Sequence, residues 1–218
     1  GDRVLSVSVT DPSGVPTAGV GLPVIYYRKN AGAYVSTQCT FVSGSSYNCS
    51  IVAAGIGGVT VADVIGYYVA AQDNANNVSV NPSAGAGGFT PNPPAASTPP
   101  TTPNQYTIVA AASGTYTVGT GGTYPSLTNT GGVFEFLNNS DVTGNISIEI
   151  LSDLGSELGT HALNQYAGGF STTMYPCSNP ITITGSNAGA LIRLNGADFV
   201  TIDGNSDLCS PPSVVGGT

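Results

Sequence analysis

Apolar and polar residues alternate along this chain in short stretches, each closed by Gly, Pro, Asn or Asp. In residues 4–10, VLSVSVT, Leu5, Val7 and Val9 share one face and Val4, Ser6 and Ser8 the other, the period of a strand with one buried side. Asp11-Pro12-Ser13-Gly14 then supplies turn chemistry. Residues 20–28, VGLPVIYYR, predict a second strand with Pro23 at its start or on an edge. Residues 34–41 and 47–53 predict a hairpin around Ser43-Gly44-Ser45-Ser46 with Cys39 and Cys49 near opposite each other. Residues 59–71 predict a further strand ending in a solvated polar corner at 73–77, with Tyr67 or Tyr68 either a corner tyrosine or, the favoured reading, ordinary strand packing. Strands so short and so regularly interrupted describe an immunoglobulin-like β-sandwich, with Val7, Val9, Val24, Ile25, Val52 and Val69 in its core. Residues 81–104 are dense in Pro and Ala; they form either a semi-rigid linker or a segment draped along the sandwich before residues 106–110, YTIVA, close it.

From about residue 111 the rhythm changes. Residues 114–127 hold a strand and a Gly-rich turn, and residues 133–136 (VFEF) and 146–150 (ISIEI) predict two more strands. Residues 152–180, with His161, Met174 and Cys177, predict an irregular loop. Then Ile181/Ile183, Ile192/Leu194 and Val200/Ile202 form alternating pairs too closely spaced for crossover helices, as in a chain that winds, bends and winds again. The expected fold is all-β: a sandwich over residues 1–110, including the Pro-rich segment, and a parallel β-solenoid over 111–218. Tyr116 and Val118 are expected to begin a cap on its first edge. No far cap is visible before SPPSVVGGT, so continuation in a longer chain, truncation or covering by a neighbour is expected.

Composition narrows the function. Charged residues make up only 7% of the 218, against about 25% in an ordinary domain. The net charge is −8, and Arg3, Arg28, Lys29 and Arg193 are the only cations, which leaves nothing to neutralise phosphates and excludes a nucleic-acid partner. No apolar run approaches the ~20 residues of a membrane span. The sequence opens at Gly1, as expected of a processed chain or a piece of a longer one. The four cysteines suggest the pairs Cys39 with Cys49 and Cys177 with Cys209, and disulfides point outside the cell. Zinc is the competing reading, but no C-x-x-C spacing exists and His161, the single histidine, is remote.

The stretches VSVTDPSGVPTAGVGLPVIYYRKNAGAY, GYYVAAQD, NPPAASTPPTTPNQYTI, GTYTVGTGGTYPSLT and LIRLNGADFVTIDGN resemble large secreted surface proteins of Bacteroidetes-type bacteria. Such proteins alternate immunoglobulin-like modules with parallel β-helical segments and typically carry a C-terminal sorting domain. The resemblance is one of module pattern and implies export to the cell surface, with a role in adhesion, surface layers, fibres or gliding-type machinery.

Candidate chemistry is sparse. β-Helical lyases and hydrolases use carboxylates and basic residues on one face, which directs attention to Asp198, Asp203, Asp207 and Arg193. The aspartates stand at corners, where they cap turns, with Asp198 and Asp203 as weak calcium candidates; Arg193 is expected on a solvated face. Glu135 and Glu149 on adjacent rungs would repel unless a cation intervened. His161 lacks a nucleophile beside it, and the Gly-rich turn lacks a phosphate-loop lysine. The triplets at Asn48, Asn77, Asn138 and Asn145 are glycan acceptors only in a eukaryotic secretory setting, and Thr182/Thr184 suggest a surface-binding ladder that other rungs do not repeat. The expectation is a non-catalytic extracellular structural or adhesive protein without a cofactor. It would self-associate into a homopolymer through solenoid ends or sheet edges, with surface glycans as a further candidate partner. The alternative is a carbohydrate-binding or polysaccharide-cleaving β-helix protein.

Overall fold

A computed structural model describes residues 1–209, in which two compact units meet in sequence between Ile108 and Val109. The first holds β1 (Arg3–Ser8), β2 (Val24–Lys29), β3 (Val35–Gln38), β4 (Thr40–Ser43), β5 (Ser46–Ile51), β6 (Val64–Gln72), β7 (Val78–Asn81), β8 (Gly87–Thr90), β9 (Ala95–Thr98) and β10 (Asn104–Thr107). One antiparallel sheet runs β1-β5-β4 and the other β10-β6-β2-β3, with β7 also on β6, giving an immunoglobulin-like sandwich. Strand β6 explains the layering. Ile65, Tyr67 and Val69 pack into the cluster with Ile25, Tyr27, Tyr47 and Ile51, whereas Tyr68 and Ala70, of opposite parity, pack with Val80 and Ala96. Tyr68 is 1% exposed, and its ring stacks on Tyr26 with centroids 4.9 Å apart. The Tyr26 hydroxyl donates to the Pro94 carbonyl at 3.1 Å. The Pro-rich segment thus forms the β8–β9 hairpin lying over this sheet, and β10 closes the sheet on β6. Burying one such ring contributes about 1.5–3 kcal/mol.

Cys39 marks a switch between sheets: β3 pairs with β2, and β4 pairs with β5. The buried Cys39–Cys49 disulfide spans 10 residues and ties the crossing to β5. Two turn expectations need correction. The strand expected over 59–71 begins only at Val64, because the Asp63 carboxylate accepts from the Thr60 N–H and hydroxyl and from Asn30 Nδ2, holding residues 60–63 as a turn. The Thr60 backbone bond chiefly lowers the Asp63 pKa. The corner at 73–77 is not merely solvated: Asp73 is buried and accepts from Ala75 N, Asn77 N, Asn77 Nδ2 and the Ser13 hydroxyl. Its pKa is lowered, first by the Asn77 side chain.

The second unit holds β11 (Ala110–Val118), α1 (Val133–Asn138), β12 (Ser140–Ile150), β13 (Leu154–Glu157), β14 (Leu163–Asn164), β15 (Thr172–Pro176), β16 (Ile183–Gly185), β17 (Leu194–Asn195) and β18 (Val200–Ile202). Three parallel sheets, β11-β12-β15-β18, β13-β16 and β14-β17, form a β-solenoid of about 3 turns. Hydrogen-bonded partners on neighbouring coils stand from 24 to 34 residues apart. Ile146, Ile148, Ile150, Leu154, Leu163 and Met174 point inward.

Two expectations fail here. Residues 133–136 are helical: Val133, Phe134 and Leu137 are buried together, a helical spacing that four alternating letters do not reveal. Helix α1 lies against β11, β12 and β14, and Val118, expected to begin a cap, is instead core, with Tyr116 packed against it. Residues 152–180 are a full coil whose strands are too short to carry a period. The closing stretch SPPSVVGGT lies outside the described residues.

Buried polar groups stitch the coils together. Glu157 is 1% exposed and accepts from Leu127 N, Thr128 N and the hydroxyls of Ser126 and Thr128. Gly185 passes so close that an added Cβ would lie 1.7 Å from the Glu157 carbonyl oxygen. Asn138 Oδ1 accepts from Asn164 N at 3.0 Å, and Asn164 Oδ1 accepts from Asn195 Nδ2 at 2.9 Å, an asparagine ladder over successive coils.

Candidate functional site

The outward face of the β11-β12-β15-β18 sheet collects most of the polar side chains held in regular register. Because Ile146, Ile148 and Ile150 point inward, Ser147 and Glu149 point outward. Register aligns Thr115, Ser147, Thr173 and Thr201 in one rank across the four strands, and Thr117, Glu149 and Tyr175 in the next. The Tyr175 hydroxyl donates to Glu149 Oε1 at 3.1 Å. Tyr175 is buried although it lies on the outer face, since the turn Ser206–Leu208 lies beside β15 and is anchored by the Cys177–Cys209 disulfide. Burial chiefly raises the Tyr175 pKa, and the Glu149 bond raises it further.

The four cysteines named from sequence come together in the two expected pairs. The carboxylates do not converge. Asp198 and Asp203 lie on either side of β18, and neither belongs to a metal-capable group of three or more side chains among the described residues. Asp203 Oδ1 accepts from Asn205 N and Asp207 Oδ2 from Asn205 Nδ2, so both serve local turns. Arg193 is exposed, but its guanidinium donates to the carbonyls of Gly159 and Thr160 on the preceding coil. Glu135 and Glu149 are not on adjacent rungs: Glu135 belongs to α1, with its carboxylate 3.7 Å from His161 Nε2.

No known protein family and no curated protein matches this chain. Two further features bear on the site. In the first unit, a groove of about 600 Å³ runs beside the unpaired edge of β1, with Leu5, Val7, Val9, Tyr67 and Val69 among its lining residues and no charged side chain. In the second, a recess of about 190 Å³ is lined by Asn138, Asp141, Asn164, Gln165 and Tyr166. Sequence reasoning did not find Glu157, whose strand carries no alternation, nor the hydroxyl rank, which appears only when coils are superposed.

Proposed function

We propose that this chain is a non-catalytic, extracellular structural or adhesive surface protein that assembles with copies of itself by strand addition. The carrying observation is the free edge of β1 beside its uncharged groove, the arrangement an extended segment uses when it extends a sheet. The other edge of the same sheet, β4, is also unpaired and exposes Phe41 and Val42. A sheet with two unlike free edges favours a head-to-tail contact that does not close, and hence a filament. Two disulfides fit an oxidising compartment, and no described helix is long and apolar enough to cross a membrane. Asp203 and Asp207 are both taken up by one turn around Asn205, and His161 pairs with Glu135 of α1, which favours a role without catalysis.

Negative-stain electron microscopy of the native material, with intact mass on the same sample, tests this reading. Regular fibres or sheets built from a 21.7 kDa subunit support it, and Val7→Lys at the groove should then abolish them. Dispersed single particles at high concentration count against it. Glycan binding is the second reading, favoured by the outward hydroxyl rank with Glu149 and Tyr175 beside it. Retention on immobilised neutral polysaccharide, lost in Thr173→Val, would move the function there.

A further inference from the structure

A recess of about 190 Å³ opens in the second unit where the end of α1 and the start of β12 meet the residues after β14. Asn138, Asp141, Asn164, Gln165 and Tyr166 line it, and Asp141 is its single charged group. Asn138 uses both ends of its amide on the neighbouring coil, Nδ2 donating to the Ala162 carbonyl and Oδ1 accepting from the Asn164 N–H. Asn164 Oδ1 accepts from Asn195 Nδ2, which fixes that amide and leaves its own Nδ2 as a donor. The exposed side chains of Asp141 and Gln165 bond to no described residue. Tyr166 packs against the solenoid core, and its hydroxyl accepts from the Thr172 hydroxyl at 3.1 Å, so an aromatic wall is held in place.

We propose that this recess binds one neutral pyranose ring, the exposed unit of a glycan. Sugar hydroxyls both donate and accept, so they complement an acceptor-only carboxylate standing beside amide donors. Asp141 accepts from the ring hydroxyls, Asn164 Nδ2 and Gln165 Nε2 donate to them, and Tyr166 offers an apolar wall to the C–H groups of the ring. Charge selects against the alternatives. An anionic sugar or a phosphate would meet the Asp141 carboxylate with no lysine, arginine or histidine among the lining residues to offset it. A metal ion would find one carboxylate, and Asp141 belongs to no metal-capable group among the described residues. Size selects as well: sites for drug-sized ligands start at about 300 Å³, and this recess has room for a single ring. The bonds from coil to coil hold Asn138 and Asn164 before a ligand arrives, which leaves little side-chain ordering to oppose binding. The site is separate from the hydroxyl rank of Thr115 to Thr201, and it does not depend on assembly through β1.

The test titrates the whole chain, labelled with nitrogen-15, with the methyl glycosides of glucose, galactose and mannose as probes. At least one of them should shift the amide signals of residues 138–142 and 164–167 saturably, with a Kd of about 1 mM for so small a ligand. Asp141→Ala should weaken that binding at least ~10-fold and Gln165→Ala about 3-fold. Both side chains are exposed and unbonded, so either variant should melt at the parent's Tm. Thr173→Val, on the hydroxyl rank, should bind like the parent. The proposal is overturned if no glycoside shifts these signals at about 50 mM, or if the shifts fall on residues 115, 147, 173 and 201 instead. It is equally overturned if the folded Asp141→Ala and Gln165→Ala variants bind like the parent, or if methylammonium displaces the glycoside, since the recess would then be a cation site. A chain that forms fibres yet binds no glycoside sinks this proposal and leaves the assembly reading standing.

Discussion

The sandwich and the solenoid bury their polar groups in different places. In the sandwich the centre is aromatic and aliphatic, with Ile25, Tyr27, Tyr47 and Ile65 enclosed around Cys39–Cys49. Its acceptor carboxylates, Asp63 and Asp73, serve turns at the ends of β6. In the solenoid an acceptor carboxylate, Glu157, is wholly enclosed, and asparagines bind backbone from coil to coil. Backbone geometry explains the contrast. Antiparallel strands joined by tight turns pair most of their N–H groups with one another, so in the sandwich only the turns need side-chain acceptors. Each solenoid coil bends at several corners, some closed by strands as short as β14, and these corners leave many N–H groups to side chains.

The sharpest way to break this comparison is Glu157→Ala. It strands the Leu127 N–H and the hydroxyls of Ser126 and Thr128, leaving the Thr128 N–H only its 3.2 Å bond to Ser126 Oγ, and each buried unmet donor costs about 1–3 kcal/mol. We expect a loss of at least ~3 kcal/mol confined to the second unit, followed by hydrogen exchange in urea. An equal loss of protection in β2 and β6 would show that the two units do not unfold separately. Gly185→Ala comes next. Its Cβ meets the Glu157 backbone, not a movable side chain, so β16 has to shift from β13 at a cost of about 1–3 kcal/mol, read as a lower Tm. Asn164→Ala removes one step of the asparagine ladder and should cost about 0.5–1.5 kcal/mol. A neutral result would assign coil stability to the apolar interior alone.

The smallest effect at neutral pH belongs to the sandwich. Burial, aided by Tyr26 and Tyr34, pushes the Tyr68 pKa from 10.0 up to about 12. The folded state therefore holds this proton more tightly than the unfolded chain. Its contribution is complete below about pH 10 and is lost as pH rises toward 12. Tyr68→Phe should leave stability at pH 7 nearly unchanged and flatten this part of the alkaline decline. Denaturant midpoints from pH 8 to 12 check the sign; a steeper decline in the variant would contradict it.

Much of the architecture was legible in the chain because period-2 alternation and turn residues act locally. Leu5, Val7 and Val9 in β1, the Ile146/Ile148/Ile150 face, Pro23 before β2 and both cysteine pairings could be read from spacing. Helix α1 was hidden because VFEF is too short to separate two periods, and its third core contact, Leu137, follows it. The coil at 152–180 was hidden because strands as short as Leu163–Asn164 carry no period. What only the tertiary structure decided are the contacts across coils and sheets. These include Glu157 reaching residues 126–128, Glu149 meeting Tyr175 and the Cys177–Cys209 bridge, and the hydroxyl rank from Thr115 to Thr201. The physical reason is that alternation specifies which way a side chain points, whereas its partner one coil away is set by how many residues the intervening corners consume.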